Sequence, residues 1–243
     1  MEVGYKIVDA EGNLPKAGKD NANTEYIAPV NYGLHALFKS VDLYFNDVLI
    51  NLSGGFHHYK EYLKVLMSYN QDYKSTVLKS AGWDEDDYDY PHSVSNRNEG
   101  FWNRLETIAE VNRSDHEIKS YKTEGGHFIG SLGIDYKGTP IINGINIRLQ
   151  YVLNDPDFFL FGRKRTTLGD KTVNAPLDKK FKYVLHRFTL HVLVHELQPS
   201  IYENLENRLK TQPLISGFKR YNLLQHSIPI GLTEWVSDQL LPS

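Results

Sequence analysis

The feature that most constrains this chain is strict alternation of apolar and polar residues. From Ile145 to Leu153 the set Ile145, Ile147, Leu149, Tyr151 and Leu153 interleaves with Asn146, Arg148 and Gln150. A period of two places one set on each face of a strand, so this stretch predicts a half-buried strand over 145–153. The turn dipeptide Asn143-Gly144 precedes it. Val41, Leu43 and Phe45 alternate in the same way; Asn46-Asp47 then interrupts and Val48-Leu49-Ile50 resumes, which predicts a tight hairpin. A third apolar run begins at Phe181, and Phe188, Leu190 and Val192 on one side of it are expected to be buried in a strand over 182–195.

Helical periodicity is confined to short stretches. Tyr59, Tyr62, Leu63, Leu66 and Met67 fall on one stripe of a helix, with Lys60, Glu61 and Lys64 mostly opposite. Ile201, Leu205 and Leu209 repeat along a second helix between Pro199 and Pro213, where Ser200 with Glu203 three residues on resembles a capping box. Residues 83–91 are acidic and aperiodic, and residues 162–176 are first basic and then turn-rich, so both are expected as loops. Together the signals describe a mainly β chain with short inserted helices. It divides into a first unit over 1–161, a linker over 162–177 and the start of another β unit over 178–243.

Composition closes off several function classes. The 243 residues are 40% apolar and 23% charged, as in folded proteins, and there is no cysteine to form a disulfide, a thiolate zinc site or a thiol nucleophile. A formal net charge of -3 gives no general basic surface for phosphates, so sequence-specific nucleic-acid binding is not expected. No basic stretch followed by an apolar one opens the chain, and no apolar run is long enough to cross a membrane; secretion by a classical signal and a membrane span are not expected.

The densest histidine group is His186, His191 and His195, followed by Glu196. On a helix His191 and His195 lie one turn apart and could share a metal ion with Glu196. On a strand, residues four apart are separated by about 13 Å, too far for two ligands of one zinc. Phe188, Thr189, Val192 and Val194 favour the strand, and the order His-Glu-x-x-His of a zinc protease is absent. The acidic run Asp84, Glu85, Asp86, Asp87 and Asp89 fails as a calcium loop, because the sixth position counted from Asp84 is Asp89 where glycine is needed. Gly125-Gly126 reads as a turn or bulge, not as a phosphate loop, since no Lys-Ser/Thr follows. There is no Gly-x-Ser-x-Gly elbow, and the basic run Arg163-Lys164-Arg165 is short enough to be simply solvated. No catalytic, cofactor-binding or metal residues are assigned.

Several of these segments carry a resemblance. Pro29 to Ile50, with Val30-Asn31, Leu34-His35, Leu37-Phe38 and Val41-Asp42-Leu43, resembles the hallmark stretch of the first jelly roll in the double jelly-roll major capsid proteins of the Polinton (Maverick) and adintovirus type. Tyr59 through Tyr69 resembles that family's following helix, Gly144 to Phe161 its last strand of the first barrel, and Phe181 through Leu209 the opening strand and helix of the second. The matches keep the family's order over most of the chain.

The resemblance implies an antiparallel jelly-roll sandwich followed by the start of a second jelly roll, and a viral structural protein without cofactor that is not an enzyme. It implies self-association into trimeric capsomers of an icosahedral shell, with neighbouring capsomers, penton and minor capsid proteins as partners. The expected location is the virion, or the nucleus or cytoplasm of a host carrying an integrated copy. The family has strands before the position of Met1 and most of its second jelly roll beyond Ser243, so a fragment is expected. Val192, Leu193, Val194, Leu223, Leu224 and Ile228 are then expected to form an exposed apolar patch. Two other readings compete. A β-sandwich binding module for sugar or peptide uses the same architecture, and a metal-dependent enzyme using His191, His195 and Glu196 requires a helix over 186–196.

Overall fold

In the computed structural model the residues described are 1–18, 24–51, 53–87, 98–115, 117–132, 141, 144–168, 171–213, 223 and 230–231, with side chains of 165–168 and 171–174 left aside. The chain is mainly β, with antiparallel pairing throughout and a few short helices. The strands are β1 (Glu2–Asp9), β2 (Glu25–Pro29), β3 (Phe38–Phe45), β4 (Val48–Asn51), β5 (Ala109–Asn112), β6 (Glu117–Tyr121), β7 (Gly126–Ile129), β8 (Ile147–Leu153), β9 (Leu160–Leu168), β10 (Lys171–Ala175) and β11 (Phe181–Thr189). The helices are α1 (Gly33–Ala36), α2 (His57–Ser68), α3 (Gln71–Thr76), α4 (Glu99–Ile108), α5 (Pro156–Phe159) and α6 (Pro199–Thr211). Three three-stranded sheets run in the orders β11-β1-β7, β10-β9-β2 and β4-β3-β8, beside the ribbon β5-β6, and none closes on itself among the described residues.

β1 organises the core because it is paired on both edges and Val3, Tyr5 and Ile7 alternate inward, all nearly fully buried. Tyr5 stacks on Phe128 of β7 at 4.8 Å between ring centroids and meets Phe159 of α5 edge-on at 5.6 Å. β2 is buried along its whole length. α4 covers it, with Trp102 against Tyr26 at 5.8 Å, and starts where the Asn98 side chain accepts the Phe101 amide at 3.2 Å. The Tyr121 hydroxyl of β6 accepts from the Ile27 amide at 3.0 Å and donates to the Glu25 carbonyl at 2.6 Å, which fastens the ribbon to β2. The expected hairpin is present: Asn46 and Asp47 both take positive φ, as a two-residue turn between twisted strands requires. Gly125 closes the turn before β7, again as expected.

Several expectations need correction. Residues 162–176 are not a loop: β9 and β10 pair with each other and β9 pairs with β2, so the stretch expected as a linker lies in a sheet. The run from Phe181 stops at Thr189; Leu190 to Gln198 have no regular structure, and Phe188, Leu190 and Val192 are exposed. A bulge also interrupts β11: Gly4 pairs with Arg187 and Tyr5 with Leu185, leaving His186 unmatched, so Tyr183 and Leu185 stand opposite Ile7 and Tyr5, and Phe188 opposite Val3. Gly4 accommodates it, since a Cβ there would stand 2.5 Å from the His186 ring.

β8 is an edge strand, so Ile147 is exposed and Leu149 only half-buried where both were expected inside. Both expected helices form, yet α2 is turned over: it buries His57, His58, Glu61 and Val65 and exposes Leu63, Leu66 and Met67. α6 begins with Pro199 as its first residue, so Gln198 and not Ser200 stands at its cap. The segment expected to open a second unit joins the first through β11, which runs antiparallel along the length of β1.

Val192, Leu193 and Val194 are exposed as expected, Leu223 is half-buried, and Leu224 and Ile228 lie outside the described residues. No helix among the described residues is long and apolar enough to cross a membrane.

The tight approach of the β7 turn to β1 can be tested directly. Gly125 has φ +75, and a Cβ there would meet the Tyr5 carbonyl oxygen at 2.0 Å, whereas Gly12 has φ +91 and open space around it. Gly125→Ala should therefore cost about 2 kcal/mol or more in denaturant unfolding, and Gly12→Ala about 1 kcal/mol. Equal costs would show that the turn does not press on β1.

Candidate functional site

The histidines singled out by sequence do not form a site with each other. Between Phe181 and Gln198 the chain is strand and then irregular, so the helix that would align His191, His195 and Glu196 is absent. His191 turns instead toward Glu2, with Nε2 3.7 Å from its carboxylate. His127 reaches the same carboxylate at 3.7 Å and Arg187 at 3.1 Å, and the His186 ring sits 5.9 Å from that of His127. This is an exposed ion-pair group at one end of the β11-β1-β7 sheet, of the kind that contributes little to stability. Among the described residues no group of three or more His, Asp or Glu side chains is placed to hold a metal ion.

A different histidine group is buried beneath α2. Tyr32, in a left-handed conformation before α1, lays its ring 4.4 Å from that of His35 and 5.3 Å from Trp83. His35 Nδ1 lies 3.0 Å from His57 Nε2, so α1 and α2 are joined by an imidazole–imidazole hydrogen bond. Such a bond needs a proton on one nitrogen and a lone pair on the other.

His58 follows on the same helix. Its Nδ1 is 3.2 Å from the Asn154 amide nitrogen, which also donates to the Ala36 carbonyl at 2.8 Å. Its ring packs against Phe158 at 4.2 Å. Because an amide nitrogen can only donate, His58 Nδ1 is the acceptor and the ring proton sits on Nε2. The His58 ring also bonds the Phe38 backbone, while His57 Nδ1 is buried without a hydrogen-bond partner. Buried polar atoms are nearly always satisfied, so this ring nitrogen marks an unusual place in the fold. Burial, the largest influence, holds all three imidazoles below the ordinary histidine range; Lys60 and Lys64 add to it at His35 and His57, and Lys39 at His58. The three rings are neutral at pH 7.

Two further polar anchors frame it. Ser53 Oγ accepts the Val41 amide at 2.9 Å and donates to Asp42 at 3.1 Å, locking the end of β4 onto β3. Arg104 of α4 is buried, donates to the Pro29 carbonyl at 2.9 Å and to Asp86 at 2.6 Å, and also bonds the Asp84 carbonyl. The acidic loop is therefore not simply solvated where it is described: Asp84 and Asp86 are pinned by one guanidinium. His57 and His58 open α2. His35 is 22 residues away, and no spacing rule connects them.

Replacing Arg104 by Leu leaves its carbonyl and carboxylate partners without a donor, and should cost about 3 to 5 kcal/mol in chemical denaturation. A loss below about 1 kcal/mol would mean that the guanidinium is not buried against them. Comparison of the chain with protein-family models, with curated proteins and with solved structures gives no match.

Proposed function

We propose that the chain is a structural protein that works by associating with copies of itself, as a major capsid protein of the double jelly-roll type or a genome-integrated remnant of one. In this reading the antiparallel sheets β11-β1-β7 and β4-β3-β8 are parts of a jelly-roll wall. The segments that resemble the capsid family fall on β3 and β4, α2, β8, β11 and α6, in that order.

One observation carries the reading. β8 and β11 adjoin, with Tyr151 and Phe188 at 5.0 Å and Phe38 and Phe188 at 6.2 Å, and both strands display apolar side chains to solvent. Val152, Leu153 and Phe188 are more than 40% exposed there, and Leu193 and Val194 beyond β11 are 80% and 78% exposed. Exposed apolar side chains in such number are what association surfaces offer. A shell protein needs broad side-to-side faces, and open β edges beside apolar surface supply them.

Sedimentation velocity and native mass spectrometry of the purified chain test the proposal. Concentration-dependent trimers are expected, and Leu193→Asp with Val194→Asp should shift them to monomer without changing the circular dichroism spectrum. A wild-type chain that stays monomeric at every concentration contradicts it.

A further inference from the structure

The inward side of α2 offers one apolar side chain, Val65, and three polar ones, His57, His58 and Glu61. Apolar attachment comes from Val65 and from the flanking Tyr59–Phe158 and Tyr62–Trp83 ring contacts, and the rest of the contact beneath the helix is polar. The contact to α1 is the 3.0 Å approach of His35 Nδ1 to His57 Nε2. With both rings protonated each nitrogen carries a hydrogen, the shared bond is lost and two like charges face each other.

The surroundings favour separation once protons are added. On α2, Lys60 and Lys64 act on both rings and His58 acts on His57. Glu61, the acid on that side, lies 3.0 Å from Lys60 and 3.9 Å from Lys64. From the turn before α1 comes Tyr32, from β3 comes Lys39 acting on His58, and from the segment before α5 comes the neutral Asn154. Added protons thus meet two lysines that share one glutamate, and otherwise neutral groups, around the pair, and the buried His57 Nδ1 has no hydrogen-bond partner.

We propose that His35 and His57 form an acid-released clasp: on acidification, protonation separates α2 from α1 while the sheets remain folded. The direction follows from linkage. Both rings are held neutral when α2 is docked and take up protons near the ordinary histidine value of about 6.5 when it is released. Docking is therefore fully supported above that pH and weakens as the pH falls below it. α2 gives way before the body because its release gives up only Val65 and the flanking Tyr59–Phe158 and Tyr62–Trp83 contacts, whereas the sheets bury Val3, Tyr5, Ile7 and the rings gathered around them. The clasp does not depend on whether the chain builds a shell.

Hydrogen exchange of the whole chain, corrected for the intrinsic pH dependence, reads the release. Between about pH 7.5 and about pH 5 the protection of residues 57–68 should fall at least about tenfold while β1, β3 and α4 keep theirs. In His57→Gln the pH dependence of α2 protection should shrink, because His57 no longer contributes a proton while His35 and His58 still do. Should that variant fail to dock α2 at all, the ring-nitrogen resonances of the unmodified protein decide, with both His35 and His57 neutral at pH 7. Unchanged protection of α2 at pH 5, loss of β1 and β3 together with α2, or a charged His35 or His57 at pH 7 would each overturn the clasp.

Discussion

The pairing of β1 on both of its edges is the constraint from which the rest of the structure follows. A strand with partners on either side has no free backbone donors or acceptors, so its inward residues can be fully buried. Val3, Tyr5 and Ile7 use that freedom, and the Tyr5 ring gathers Phe128 from β7 and Phe159 from α5. One partner, β11, comes from nearly 180 residues downstream. The N-terminal strand therefore ties the far end of the described chain to its beginning, and the intervening sheets and helices pack around that closure.

Outside this core the fold trades apolar for polar burial in an unexpected direction. α2 has an apolar stripe at helical spacing, but the side it presents to the body is mostly polar and the stripe points out. β8 and the end of β11 likewise leave apolar residues in water. Polar side chains beneath α2 and apolar ones on its outer side leave hydrophobic surface uncovered. The same arrangement makes the docking of α2 depend on neutral imidazoles, which couples its position to proton concentration.

The sequence was legible where one local rule governed the outcome. Alternation located β3, β4 and β8, the Asn46-Asp47 pair located the turn, and helical spacing located α2 and α6. It failed where a non-local partner decides. Alternation shows that two faces differ but not which one finds a neighbour, so edge strand β8 was expected to be buried. β11 ends at Thr189, opposite Glu2 at the start of β1, so the strand expected to run on to 195 finds no partner there. The basic stretch around Arg163 forms a strand because β2 and β10 lie beside it, whatever its own turn-rich composition. The buried histidine group was missed for the same reason: His35, His57 and Asn154 are distant in sequence and meet only after β3 and α5 are placed.

Interstrand nuclear Overhauser contacts between β1 and β11 test the account at its centre. The structure pairs Val3 with Phe188 and Ile7 with Tyr183, as it pairs Val41 with Tyr151 in the β3–β8 sheet. Cross-strand backbone contacts for both sets in one sample are the predicted result. Contacts within the β3–β8 pair but none between β1 and β11 would show that the chain does not close through its first strand, and would contradict the architecture described above.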